Sequence, residues 1–291
     1  LSDNSNSYDY LMLGSDYGKI RVKYIHGFLE KRNEINRYIN ARGVEWTNHK
    51  SLNIGLSEIV IYSGENRSLD FAYINPIASH LELELNDRLN IIGDANANAV
   101  WQIHIDYLLN QKFRISFNYL LDEFVLDPNI EIGKEHGRAH SFRFSVPLSL
   151  EKYFCNLYIM NNIVGTQTFR HAFGDNNFIF NSRPIGWIYG SDGLENVIGI
   201  SFYDPNKIIF DSSVGIIKYG METLLNRPYD PYYKYKNSFP SGVLTEIIHF
   251  KSDLKWKYNS KLKYQLNIEW VLKYKNRSNY GNVVFGISIT I

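Results

Sequence analysis

Carboxylates stand at positions of this 291-residue chain where they could do chemistry. Glu58 interrupts an apolar alternation in the stretch 52–62, and Asp122 and Glu123 end another alternating stretch. Two nearby acids could act as general acid and base on a glycosidic bond, or bind sugar hydroxyls without catalysis. Pairing with lumen arginines such as Arg42, which would only brace the barrel, is the simpler interpretation. Hydrolysis depends on the distance between the two acids, which the sequence does not fix, so it stays an alternative only. We expect no catalytic residue.

The stretch 66–90 concentrates polar and aromatic side chains and is too long for a simple hairpin. We expect it to fold inward or to pack over the mouth of a pore, which it would narrow or plug. Four of its residues are candidates for sugar binding: Arg67, Asp70, Tyr73 and Asn75. Glu58 would be costly on a lipid-facing surface, so we expect a bulge or a change of facing to turn it toward a lumen.

The stretch 226–235 places tyrosines beside charged residues and prolines. Aromatic rings can stack on the C–H faces of sugars while polar neighbours bond the hydroxyls. Packing of the loop against itself, or an interfacial girdle, explains the same residues equally well. Three of its residues are candidates for polysaccharide binding: Tyr229, Tyr232 and Tyr233.

Other chemistries find little support in the sequence. Lys and Arg total 31 against 30 Asp and Glu, a balance that argues against nucleic-acid binding. The single Cys155 excludes an intrachain disulfide framework. His136 and His140 have a metal-like spacing but fall around a turn, so we expect neither a metal nor a cofactor. A hydrolase that uses His104 in a spatial triad stays open, although His104 fits the lining of a lumen more simply.

Strands must position these residues, because apolar and polar residues alternate with a period of two in most of the chain. The stretch 261–275 shows this most clearly, and its length approaches that of a membrane-spanning strand. We expect about thirteen strands, near residues 7–13, 19–30, 35–48, 51–63, 92–109, 112–126, 138–150, 152–165, 194–203, 207–222, 244–258, 261–275 and 281–291.

The connections predict which ends of the strands share a side. Short turns alternate with longer loops near 64–91, 127–137, 166–193 and 223–243. An outer-membrane barrel has short periplasmic turns and long outer loops. A soluble β-sandwich also alternates apolar and polar residues, but long strands, one-sided loops and aromatic residues toward strand ends favour the barrel. We therefore expect an all-β, up-and-down transmembrane barrel in the bacterial outer membrane.

Several short segments, in order, resemble the Wzi-type capsule assembly family. They lie at residues 24–29, 37–42, 55–62, 71–76 and 119–124. Residues 183–187 and 189–192 resemble that family's Pro-Leu-Gly and Gly-Pro-Asp segment, although Ser191 replaces a Pro and Trp187 and Ile188 replace a His-Pro pair. The resemblance is strong before residue 130 and thin after 195.

The resemblance implies a barrel of about 18 strands with a plugged lumen, acting as a non-catalytic surface lectin. Its partners would be capsular or other extracellular polysaccharide and outer-membrane lipid. We expect residues 1–291 to form one barrel domain whose N-terminal part is missing, and the protein to be a monomer. A diffusion porin is the first alternative, because it shares the same barrel pattern.

Overall fold

A computed structural model of the chain describes residues 7–85, 97–122, 137–150, 153–204, 207–231, 238–257, 263–275 and 278–290. Its main element is a 13-stranded antiparallel sheet in which each strand pairs with its neighbours in chain order. The strands of this sheet are β1 Asp9–Asp16, β2 Ile20–Arg32, β3 Ile35–Thr47, β4 Leu52–Glu65, β5 Ala97–Leu109, β6 Phe113–Leu121, β7 Arg138–Leu150, β8 Tyr153–Val164, β11 Gly193–Asp204, β12 Ile208–Tyr219, β13 Thr245–Lys257, β14 Lys263–Lys275 and β15 Ser278–Thr290.

Short elements interrupt the loops between these strands. The loop after β4 contains helices α1 (Phe71–Ile74) and α2 (His80–Leu85). The loop after β8 contains a small hairpin of β9 (Ile179–Phe180) and β10 (Arg183–Pro184). No helix within the described ranges is long and apolar enough to cross a membrane.

The register puts the apolar residues of successive strands on one face of the sheet. Leu56 lies opposite Val44 on β3 and Ile103 on β5. The adjacent Ser57 points to the other face, together with its cross-strand partner Gln102. Because side chains alternate between faces, one register choice fixes an apolar face and a polar face over the whole sheet.

The polar face is the concave one. Although this face is mainly polar, part of it carries a buried apolar cluster. The cluster takes one or more residues from β2 through β8 and from β12 and β13, and these pack around the single segment 165–192. One short segment can contact both sides of a 13-stranded sheet only if the sheet curves around it. The polar face therefore lines a lumen, and the apolar face is the outer wall.

The long connections all lie at one end of the strands. The turns near residues 18, 49 and 110 lie at one end, here called the short-turn end, and the loops after β4, β6, β8 and β12 leave from the other, the long-loop end. One tight turn at each end has two residues with positive φ: Asn33 and Glu34 at the long-loop end, and Asn110 and Gln111 at the short-turn end. Positive φ at both central residues is typical of the type I′ hairpin turn, whose twist matches the twist of the flanking strands.

The predicted fold class is thus confirmed: an all-β, antiparallel, up-and-down sheet with one-sided long loops. Each predicted strand corresponds to one strand of the main sheet, most of them to within a few residues. Among the described residues the edge strands β1 and β15 do not pair with each other. The further strands and the missing N-terminal part stay predictions.

Candidate functional site

The lumen segment, residues 165–192, fills the concave face at the long-loop end. Its side chains Ile179 and Trp187 are fully buried against the strands. The Trp187 indole donates to Glu195 Oε2 on β11 at 2.9 Å, which satisfies its polar end. The segment therefore forms a packed core inside the lumen, in the place that the sequence predicts for residues 66–90 instead.

Asp192, at the C-terminal end of the lumen segment, joins this segment to the loop after β12. It is fully buried and accepts hydrogen bonds from Thr166 Oγ1, from the Glu222 backbone N–H and from both the N–H and the hydroxyl of Ser241. Burial raises the pKa of Asp192, while the bonds from Ser241, Thr166 and Glu222 act in the opposite direction. Gly220 is required beside it, because a Cβ there would lie 2.2 Å from Asp192 Oδ2.

Arg37 on β3 holds the middle of the lumen segment. Its guanidinium is completely buried and donates to the carbonyls of Asp175, Asn177 and Ile179, and to Glu30 Oε1. A planar guanidinium can satisfy several acceptors at once, so a single side chain fixes five residues of loop backbone.

Asn177 connects the lumen segment to the loop after β12. Its side-chain amide donates to the carbonyls of Pro228 and Asp230, at 3.2 and 2.8 Å, and its oxygen accepts from the His171 N–H at 2.8 Å. These bonds therefore tie the two loops together.

A partly exposed group of charged and aromatic side chains lies at the long-loop end of the lumen. We call it the mouth cluster, and its members are Glu30, Arg32, Asp175, Arg227, Tyr229 and Asp230. Arg32 donates to Asp175 at 2.8 Å and its guanidinium lies 3.9 Å above the centre of the Tyr229 ring. The side chain of Arg32 is 38% exposed and that of Asp230 is 45% exposed, so solvent and solutes reach the cluster.

Two tight pairings order the rest of the mouth cluster. The Tyr229 hydroxyl donates to Glu30 Oε1 at 2.8 Å, and burial raises the pKa of that hydroxyl, as does the bond to Glu30. Arg227 donates to Asp230 and to Glu222, and these bonds raise its pKa. Each arginine of the cluster is thus paired with a carboxylate, and Glu30 is paired with Arg37 outside the cluster.

A second polar cluster lies on the outer wall and is covered by the outer segment, residues 66–85. Arg67 donates to Asp70 Oδ2 at 3.0 Å and lies over the ring of Tyr62, while Tyr62 stacks between Tyr38 and Tyr73 with centroids 5.0 and 4.5 Å away. Asp70 also caps α1 by accepting from the Ala72 N–H.

Glu58 does not turn toward the lumen, and this prediction is wrong. It stays on the outer face opposite Arg42 and Trp101, with no bulge in β4. Its carboxylate lies 3.1 Å from Arg42 Nε, accepts from the Trp101 indole at 2.8 Å, and accepts from the His80 backbone N–H at 3.0 and 3.1 Å. Two partners come from the neighbouring strands and the third from the outer segment, so no change of facing is needed.

The prediction that the stretch 66–90 folds inward or packs over the mouth is also wrong for its described part. Residues 66–85 pack on the outer wall, because Tyr24 and Asn40, both on that face, bond the Tyr73 carbonyl at 3.0 and 2.7 Å. His80 is held there by the Tyr73 hydroxyl at 2.9 Å, and burial lowers its pKa to about 4, with smaller effects from His171 and Arg42. Residues 86–90 lie outside the described residues.

The predicted sugar-binding residues are thus divided among several places. Glu58, Arg67, Asp70 and Tyr73 are buried together on the outer wall, where exposed Asn75 caps the Ile77 N–H at 3.0 Å. Asp122 is buried on the lumen face, where its carboxylate accepts from the Phe169 N–H of the lumen segment. Tyr229 belongs to the mouth cluster, and Glu123, Tyr232 and Tyr233 lie outside the described residues. A role of these residues in sugar binding stays a prediction.

Arg42 is not a lumen arginine, so the proposed bracing of Asp122 by Arg42 is wrong. Arg42 lies on the outer face with Glu58, whereas Asp122 braces the lumen segment through backbone. His104 does line the lumen, 3.2 Å from Glu45 Oε2. His140 lies on the outer face of β7 opposite Tyr119, and His136 is outside the described residues. Within the described ranges, no group of three His, Cys, Asp or Glu could hold a metal ion.

Four structurally central residues were not identified as candidates from the sequence: Arg32, Arg37, Asn177 and Asp192. Arg37 and Asp192 fall within the quoted family-like segments, but those segments do not state a role. Arg37 could have been identified from the sequence. It lies two residues before Ile39 in an alternating strand, so it shares the face of Ile39, and an arginine on an apolar face needs a polar partner. Asn177 and Arg32 could not have been, since their partners lie more than 50 and 140 residues away in the chain.

Comparison with solved structures identifies the fold. The chain is similar to Wzi, described as an outer-membrane protein involved in group 1 capsule assembly in Escherichia coli and a carbohydrate-binding β-barrel, with a TM-score of 0.63 and 13% identity over 94% of this chain. It spans 56% of the length of that protein. A monoaromatic hydrocarbon channel, CymD, matches with a TM-score of 0.37 and 9% identity, over 97% of this chain and 81% of that one. No protein-family model and no curated protein matches the sequence.

Proposed function

We propose that this outer-membrane β-barrel retains an extracellular polysaccharide at its long-loop end and neither makes nor breaks a bond. The fold is that of outer-membrane barrels and agrees with the predicted location in the bacterial outer membrane. The observation that carries the proposal is the mouth cluster: exposed polar groups and an aromatic ring stand above a lumen filled by a packed segment. A filled lumen suits a surface receptor better than a diffusion path.

The chemistry of the mouth cluster suggests which polysaccharides it takes. Its arginines are already paired with Asp175, Glu222 and Asp230, so little uncompensated charge is left to attract an anion. Guanidinium and carboxylate groups can still exchange hydrogen bonds with vicinal hydroxyls. We therefore expect contacts with hydroxyls of neutral or weakly acidic sugars, and a weak dependence of affinity on salt.

The test is a glycan array on detergent-refolded protein, followed by titration with the best ligand in low and high salt. Arg32→Ala should weaken binding about tenfold, because it removes the partly exposed donor of the cluster. Arg21→Ala is the matched control: Arg21 also faces the lumen and is exposed, but it pairs with Asp16 at the short-turn end. Equal losses in both variants, or wild-type protein that binds no polysaccharide, would overturn the proposal.

A plugged receptor and a diffusion channel predict different ion conductances for the same barrel. Planar-bilayer recordings should show little ion conductance in the wild-type protein, because the lumen segment packs against strands from β2 to β13. Large, steady conductance without bound polysaccharide would favour the channel instead. Hydrolysis of the best glycan ligand by wild-type protein would favour the third alternative, a barrel enzyme.

A further inference from the structure

The outer segment shelters an apolar groove on the lipid-facing wall. The groove has a volume of about 680 Å³ and crosses the outer faces of β2 to β6. Val22, Val44, Leu56 and Ile103 form its floor, and residues 76 and 77 lie over one side. Sites of this size commonly hold small molecules, and an apolar floor of this kind gains free energy by covering hydrocarbon.

The groove opens directly into the surface that meets the membrane. Val44 and Leu56, which form part of its floor, are 43% and 56% exposed, and they belong to the same apolar face as the exposed residues of β8, β11 and β12. The outer segment adds Leu69, Phe71 and Ile77, whose exposed apolar side chains are unusual for a loop. Ile77 is 89% exposed and overhangs the groove.

The polar end of the groove is closed. Glu58 pairs there with Arg42 and accepts a hydrogen bond from the Trp101 indole, so its charge is compensated at that end. A peptide or a sugar would find few polar partners in such a groove, whereas a hydrocarbon chain needs none. Because the groove is continuous with the membrane-facing wall, lipid is the molecule present beside it at the highest concentration.

We infer that this groove seats one acyl chain of an outer-membrane lipid, clamped between the barrel wall and the Pro76–Ile77 overhang. The lipid then fixes the outer segment on the wall, and the segment in turn holds that lipid longer than its neighbours. This site is separate from the mouth cluster and does not depend on the proposed function.

The test uses photocrosslinking in lipid bilayers. The full chain is reconstituted with a phosphatidylethanolamine that carries a diazirine in its palmitoyl chain, and crosslinked peptides are mapped by mass spectrometry. We expect crosslinks to concentrate on the groove floor and on residues 76–79. Crosslinks spread evenly around the outer wall would overturn the inference.

Two variants connect the crosslinks to the groove itself. Leu56→Trp fills the floor and should reduce groove crosslinks about fivefold, as expected when one or two methylenes lose their contacts. Leu157→Trp is the matched control, because Leu157 is similarly exposed on the same face but outside the groove. Unchanged groove crosslinks in Leu56→Trp would contradict the site.

Ile77→Ser keeps the test decisive if Leu56→Trp fails to fold. Ile77 is exposed and its side chain contributes little packing, so its replacement spares the barrel. Loss of the overhang should shorten the residence of the lipid and again lower the crosslinks at the floor. Crosslinks equal to those of wild-type protein would overturn the role of the overhang.

Discussion

The lumen segment and the outer segment solve the same problem on opposite faces of one sheet. Each leaves the long-loop end, turns back over the strands and surrounds one buried carboxylate, Asp192 in the lumen and Glu58 on the wall. In the lumen the carboxylate belongs to the loop and collects donors from its own segment and from the loop after β12. On the wall it belongs to a strand, and the covering loop adds the His80 N–H to partners that the neighbouring strands supply.

The difference shows that a charged residue on the apolar face of a barrel need not face the lumen. Burial of a carboxylate is costly unless all its lone pairs find donors. Glu58 meets that condition on the wall because Arg42, Trp101 and the His80 N–H surround it, and the outer segment then restores an apolar exterior with Leu69, Phe71 and Ile77. A covering loop is thus an alternative to a change of register.

The largest effect should follow from breaking the lumen carboxylate. Asp192→Ala leaves the donors of Thr166, Glu222 and Ser241 buried without their acceptor, so we expect the free energy of unfolding to fall by about 3–5 kcal/mol. Conductance in planar bilayers should rise, because the lumen segment loses its attachment. Asp211→Ala, an exposed lumen-face change on β12, is the control. A stable, non-conducting Asp192→Ala protein would show that Arg37 and Asn177 suffice.

A smaller and local effect should follow from the wall carboxylate. Glu58→Gln removes the charge that pairs with Arg42 but keeps one acceptor oxygen, so we expect a loss of about 2 kcal/mol. The loss should appear as faster hydrogen exchange at the amides of Tyr73 and Leu83, which the outer segment protects through Asp70 and Ser79 carbonyls. Exchange in the lumen segment should not change. Equal acceleration in both segments would mean that the two are coupled through the sheet.

The smallest of the three effects on stability should be the partial release of the outer segment in acid. The pKa of His80 is about 4 in the folded protein and about 6.5 in the unfolded chain, so the unfolded chain binds more protons between these values. The stability of the segment is largest well above pH 6.5 and falls as the pH drops toward 4, by about 1 kcal/mol between pH 7.5 and 5.5. Tyr73, Glu58 and Arg42 surround the imidazole or its backbone.

Hydrogen exchange at Tyr73 over this pH range, corrected for intrinsic rates, measures the release. His80→Gln is the control, because it keeps the backbone bond to Glu58 and removes the titrating ring. A wild-type protein without pH dependence, or a His80→Gln protein with the same dependence, would rule out His80 as the titrating group.

Most of the fold could be predicted from the sequence, because the pattern that indicates it is local. A period of two needs only neighbouring residues, and it identified the strands of the main sheet and the asymmetry of their connections. The candidate site was only partly predictable. Arg67 and Asp70 are close in the chain and were identified together, whereas Arg32 and Asp175 are 143 residues apart and no local pattern relates them.

The sequence by itself determined that this chain forms a long, two-faced antiparallel sheet with its long loops at one end. The tertiary structure alone decided which loop fills the lumen and which covers the wall, and therefore where Glu58, Asp122 and Tyr229 act. The physical reason is that alternation specifies a residue's face relative to its own strand. The partner that satisfies a buried charge comes from a distant loop, whose path depends on the curvature of the whole sheet.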